Sequence, residues 1–256
     1  MRLTSLFSLS FALLFIAFPA LAQTTGPLNI NLGNDMLEPE RLFQIITLVT
    51  VLSLAPSLLL MVTSFTRIII VFAFLRSAIG LQTTPPNSVL VSLSLFITAF
   101  IMAPTFQTAY TNGLAPYFDN QITSEQAFER ATDPFRRFMA ANVNPTDLEL
   151  FTKLLPEADQ PNPEDPAAKQ AAETPLQALV PAYMISELKR AFEIGFLLFL
   201  PFLVIDLTVA SILMSMGMMM LPPVTIALPF KIIFFVLVDG WHLLTQTLLN
   251  SFNPPL

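Results

Sequence analysis

The segment PAYMISELKRAFEIGFLLFLPFLVIDLTVASILMSMGMMM, Pro181 to Met220, decides the fold. Its charges gather near the start, at Glu187, Lys189, Arg190 and Glu193, and the rest is apolar apart from Asp206. Lys189 and Glu193 stand four apart and Glu187 and Arg190 three apart, so both pairs can meet on one helical surface. They read either as a solvated helix entry or as charges that pair between subunits. Pro201 predicts a kink, and Asp206 is a carboxylate deep in apolar sequence. The segment ends in MSMGMMMLPP, Met214 to Pro223, where five methionines fall within seven residues. Gly217 splits the run, allowing the helix to break there, and Pro222-Pro223 turns the chain.

The same apolar character extends outward. Of 256 residues, 54% are hydrophobic and 12% charged, which exceeds the apolar share of an ordinary soluble domain and points to an all-α membrane protein. The net charge of −6, with no basic run, argues against nucleic acid as a partner. Cysteine is absent, which excludes disulfides, thiolate nucleophiles and cysteine metal sites. The single histidine, His242, excludes a His-rich metal site and reads as a hydrogen-bonded structural residue. No cofactor is expected.

The N-terminus MRLTSLFSLSFALLFIAFPALAQ has one positive charge, a short apolar run, and Ala20-Leu21-Ala22. That is the pattern of a secretory signal cleaved after Ala22, with an uncleaved first helix as the alternative. Residues 1–22 are thus expected to be a signal peptide and 23–41 an exported segment. A first apolar hairpin is expected over 42–106, kinked at Pro56 and turning at SAIGLQTTPPN. Arg67 and Arg76 precede this turn, nine residues apart and so on opposite helical faces. With no acid between them, they place the turn in the cytoplasm.

Residues 107–180 are polar, acidic and proline-bearing, and are expected to form an external, periplasmic helical region. Thr123 and Gln126 fit a capping box, and Asn144-Pro145 fits an N-cap followed by a first-turn proline. Residues 157–173 read as a mobile loop. Thr174-Pro175 marks the next helix start. Residues 181–256 are the second apolar hairpin, with the methionine loop at 214–223. In its last segment Lys231 and Asp239 stand eight apart, on nearly the same helical face. The whole reads as four long apolar segments with both mature ends outside.

Three strings carry a resemblance: LAPSLLLMVTSFTRIIIVFAFLRSAIG from Leu54, the Pro181–Pro223 segment, and TIALPFKIIFFVLVDGWHLL from Thr225. They resemble the FliP family of flagellar biosynthetic proteins, whose injectisome counterpart is SctR. The resemblance covers nearly the whole chain beyond the signal, and the signal itself fits the flagellar branch. It implies a core subunit of the type III secretion export gate in the bacterial inner membrane. Five copies would assemble with FliQ and FliR, beside FlhB and FlhA, as a helical ring of kinked hairpins. Unfolded flagellar proteins would pass through the central channel. The resemblance further implies that much of the assembly is raised above the bilayer and that the methionine loop is a pore gasket. That role falls on Met218, Met219 and Met220, with Met214 and Met216 beside them.

Methionine suits such a seal, because it is flexible and polarizable and adapts to what it touches. A hydrophobic constriction also resists ions by dewetting. Glu187, Lys189, Arg190, Glu193, Asp206, Lys231 and Asp239 are expected to pair within or between subunits and set assembly. Two rival readings exist. Asp206 and Asp239 could share a proton in an intramembrane aspartyl protease, although the flanking sequence lacks the expected glycine context, and no enzyme is expected. Intramembrane acids and broken helices also suit an ion-coupled transporter or proton-channel subunit, although no inverted repeat is visible.

Overall fold

The structure, a computed structural model, describes residues 43–157 and 173–252, apart from 44, 48, 51–52, 55–56, 58–59 and 219. The expected signal peptide with Ala20 and Ala22, the exported segment, Pro56, Met219 and most of the acidic loop lie outside the described residues. The chain divides into two compact units at Ser53–Leu54. In the first, the described residues from Phe43 onward are helical, and Thr50 Oγ1 donates to the Ile46 carbonyl at 2.7 Å.

Among the described residues the second unit consists of helices joined by turns and loops, with no strand. Its elements are α1 (Phe65–Ile79), α2 (Asn87–Ala109), a π-turn (Tyr110–Leu114), α3 (Ala115–Phe118), α4 (Ser124–Asn142), α5 (Pro145–Thr152), α6 (Leu176–Ser215), α7 (Pro223–Leu237) and α8 (Gly240–Asn250). α1 and α6 form the main packed pair, and α5, α4 and α7 lie against α6. The core-facing positions of α6 are Leu179, Ala182, Tyr183, Ser186, Glu187, Ala191 and Gly195, a three-and-four spacing that keeps one stripe inward. Beyond Gly195 burial thins to Phe202 and Leu213, while Phe196, Leu197, Val204, Leu207 and Ile212 are exposed. A helix apolar on all sides needs lipid or other protein around it.

Local signals set several helix ends. Thr123 and Gln126 form the capping box that opens α4, at 3.4 Å in each direction. The Asn144 side chain accepts from the Thr146 N–H at 3.0 Å, with Pro145 in the first turn of α5. α6 starts one residue later than the Thr174-Pro175 signal suggests, because the Pro175 carbonyl takes the first N–H groups, from Ala178 and Leu179. The change of composition at Gln107 does not end a helix. α2 continues through the π-turn into α3, and Gly113 lies close enough to α4 that a Cβ there would sit 2.7 Å from the Ala131 amide nitrogen.

Among the described residues, two helical stretches, Asn87–Phe118 and Leu176–Ser215, are long and apolar enough to cross a membrane. The pair α7–α8 also qualifies when taken together, but it bends by 63°. The last segment is therefore not one continuous helix. Asp239 sits at the break in the left-handed region, with φ 50°, a conformation that aspartate tolerates better than most residues. That break removes Lys231 and Asp239 from a common helical face.

Candidate functional site

Three features stand out, two buried charge nodes and one exposed loop. The first node centres on Arg67 of α1, which is fully buried. Its Nε donates to Glu187 Oε2 at 2.7 Å, and its Nη2 donates to Glu187 Oε1. Its Nη1 donates to the Ser251 carbonyl at 2.7 Å and to Ser251 Oγ at 2.9 Å. The guanidinium lies 3.7 Å from the Phe252 ring centroid. Phe252 stacks on Phe138, which meets Tyr183 edge-on, and the Tyr183 hydroxyl donates to the Thr63 carbonyl at 3.0 Å. The node thus joins α1, α4, α6 and the residues following α8. A planar fork suits this place, since it can pair bidentately with a carboxylate while its face rests on an aromatic ring.

Burial explains why Glu187 does not use Arg190 on its own helix. A buried carboxylate needs close, directed donors, and Arg67 supplies two. Lys189 and Glu193 are exposed and Arg190 is half-buried, and none forms an ion pair with a described residue. The Lys189–Glu193 pair that the spacing also allows is not made, as expected where both side chains are exposed.

The second node is Lys231 of α7, which is buried. Its Nζ lies 2.6 Å from Asp206 Oδ2 on α6 and donates to the Ala78 carbonyl near the end of α1 at 3.1 Å. Asp206 Oδ1 is buried with no hydrogen-bond partner among the described residues. The acid that Lys231 meets is thus Asp206, not Asp239. Asp239 is exposed and forms no ion pair with a described residue, and the His242 side chain, expected to be hydrogen-bonded, is exposed and makes no hydrogen bond with a described residue. Asp206 has a lysine partner where a proton-sharing dyad would need a second carboxylate.

The loop after α6 is built by a helix-ending motif. The Met218 N–H reaches back to the Leu213 carbonyl at 3.0 Å, and the Gly217 N–H to the Met214 carbonyl at 3.1 Å. This is the six-to-one and five-to-two closure that requires a left-handed residue, which Gly217 supplies with φ 73°. The chain then turns, with the Leu221 N–H on the Met218 carbonyl at 3.3 Å, and Pro222-Pro223 starts α7. The result is an outward-facing methionine cluster. Met220 is 99% exposed, and Met214, Met216 and Met218 are exposed as well.

The roles of Arg67, Ser251, Phe252 and Tyr183 escaped the reading of the sequence, where Arg67 served only to set orientation. The available signal was a lone arginine inside an apolar run. Such a residue normally finds a partner in the protein interior.

Comparison with known proteins adds to this geometry. The FliP family matches residues 48–248. The chain is 53% identical to the flagellar biosynthetic protein FliP of Caulobacter vibrioides over 253 residues, covering 99% of this chain and 92% of that protein. It is 49% identical to the protein of that name from Rhizobium meliloti over 249 residues, covering 95% and 99%. It is 48% identical to the one from Bacillus subtilis over 225 residues, covering 88% and 98%. Both charge nodes, apart from Ser251 and Phe252, and the methionine loop fall inside the matched span. The chain belongs to the FliP family.

Proposed function

We propose that this chain is a core subunit of the flagellar type III export gate in the bacterial inner membrane, with a periplasmic-side portion. Several copies, five by the family resemblance, form a ring with FliQ and FliR next to FlhB and FlhA. Unfolded flagellar proteins pass through the centre. Family membership across residues 48–248 carries this reading. The exposed apolar surface of α6 and α7 supports it, since a subunit surrounded by lipid and by its neighbours has that surface. Lys189, Arg190 and Glu193 on α6 are then available to neighbouring subunits. The buried nodes shape each subunit for assembly.

The methionine loop forms the gasket of the channel. Met218 and Met220 project from a turn, not from a packed helix, and their flexible thioethers can close on one another or around a moving chain. Replacing Met218, Met219 and Met220 together with alanine tests this. The expected result is raised ion leakage across the membrane in cells whose gate complex still assembles. Background leakage with an intact complex would refute the gasket. Substrate-dependent flux from the protein reconstituted alone would instead favour an ion-coupled transporter.

A further inference from the structure

We infer that the methionine loop is an oxidation site through which peroxide opens the gate seal. This rests on the gasket reading and extends it to regulation. Cysteine is absent from the chain, so thioethers are its only sulfur groups open to oxidation. The described methionines fall into contrasting environments. Met102 and Met139 are buried in the helical core, whereas Met214, Met216, Met218 and Met220 are exposed around one turn. Oxidation needs little more than access to the sulfur, and the helix-ending motif at Gly217 holds these side chains off the core.

The chemistry balances with hydrogen peroxide as the oxidant. The sulfur lone pair attacks one peroxide oxygen, the O–O bond breaks and an S–O bond forms. The sulfur is oxidised by two electrons and the peroxide is reduced to water. The product, methionine sulfoxide, is polar and chiral, and methionine sulfoxide reductases reverse it. In a constriction that excludes ions by staying dry, each sulfoxide adds a strong hydrogen-bond acceptor and favours wetting. An oxidised loop would therefore leak, and a reduced one would reseal.

The experiment uses the assembled gate complex in sealed vesicles, treated with hydrogen peroxide and, after the peroxide is removed, with both reductase classes and dithiothreitol as their thiol reductant. Peptide mass spectrometry reads sulfoxide at each methionine, and an ion-sensitive dye reads leakage. The expected result is sulfoxide at Met218 and Met220 while Met102 and Met139 remain unmodified. Leakage should rise with that conversion and return to its starting level after reduction. A variant with Met214, Met216, Met218, Met219 and Met220 all replaced by leucine should show no peroxide-dependent change in leakage.

Oxidation of Met102 and Met139 at the same rate as the loop would overturn the site, leaving the gasket untouched. So would an equal peroxide response in the leucine variant. Sulfoxide at the loop without leakage is resolved by Met218→Gln/Met220→Gln, which makes the loop polar without oxidation. If that variant leaks, the gasket stands and the oxidation switch falls; if it too is tight, the gasket reading falls with it.

Discussion

Arg67 meets a carboxylate, a carbonyl, a hydroxyl and an aromatic ring in one buried place. Replacing one partner of such a pair strands the other, at a cost of about 3–5 kcal/mol. Arg67→Ala and Glu187→Ala should each destabilise the folded chain on that scale, as read by thermal unfolding in detergent. Arg67→Ala/Glu187→Ala should cost less than the sum, because the second change removes a charge already stranded. Arg67→Lys should rescue little, since an ammonium group cannot fork onto two oxygens while stacking on Phe252. Near-additive losses in the double variant would show that the two side chains are not coupled. The sequence made the charges visible but not their partners. Arg67 and Glu187 lie 120 positions apart, and the local spacing of Glu187 to Arg190 offered a nearer candidate that burial overruled. Lys231 shows the same limit. Asp239 looked reachable along one helix, and only the break in that helix shows why Asp206 is the acid it meets.

At the scale of elements, the legible ends were those fixed by local chemistry. Thr123 with Gln126 satisfies two N–H groups, and Asn144 accepts from Thr146 while Pro145 has no N–H to satisfy, so their local pattern is sufficient. The break before α8 was not legible, because VTIALPFKIIFFVLVDGWHLL is apolar on both sides of it. The run of helix past Gln107 was equally hidden. It depends on the π-turn packing against α4, which composition does not report. Two glycines separate packing from backbone strain. In Gly113→Ala the new Cβ would meet the Ala131 backbone at 2.7–2.8 Å, which cannot yield as a side-chain tip could. In Gly217→Ala no described residue lies within 4 Å, and the cost is that of the left-handed backbone, about 1–2 kcal/mol. Gly113→Ala should lower the thermal midpoint of the detergent-solubilised protein more than Gly217→Ala does. Equal shifts, or the reverse order, would mean that the approach of the π-turn to α4 is not rigid.

Across the described residues, an apolar core that encloses three charged side chains is wrapped in an exterior that is itself largely apolar. Arg67, Glu187 and Lys231 are buried, while Phe96, Phe100, Phe196, Leu197, Val236 and Leu237 face outward. Such a chain depends on lipid, detergent or partner helices to cover its exterior. Purified alone, it should stay in solution in detergent and sediment when detergent is diluted away. A monodisperse species in plain buffer would contradict that arrangement. Overall composition revealed the class of the molecule, but not which helix faces close on one another, since nearly every face is apolar.

The Arg67 node also bears on how the protein is made. The ribosome synthesises Arg67 early and Glu187 much later, and Ser251 and Phe252 follow every other residue that meets there. During translation the guanidinium therefore first lacks its carboxylate and then still lacks its carbonyl, hydroxyl and ring. The nascent chain carries an incompletely paired cation until Phe252 has emerged. A chain terminated between Glu187 and Ser251 therefore keeps its carboxylate pair but leaves the guanidinium without the carbonyl, the hydroxyl and the ring.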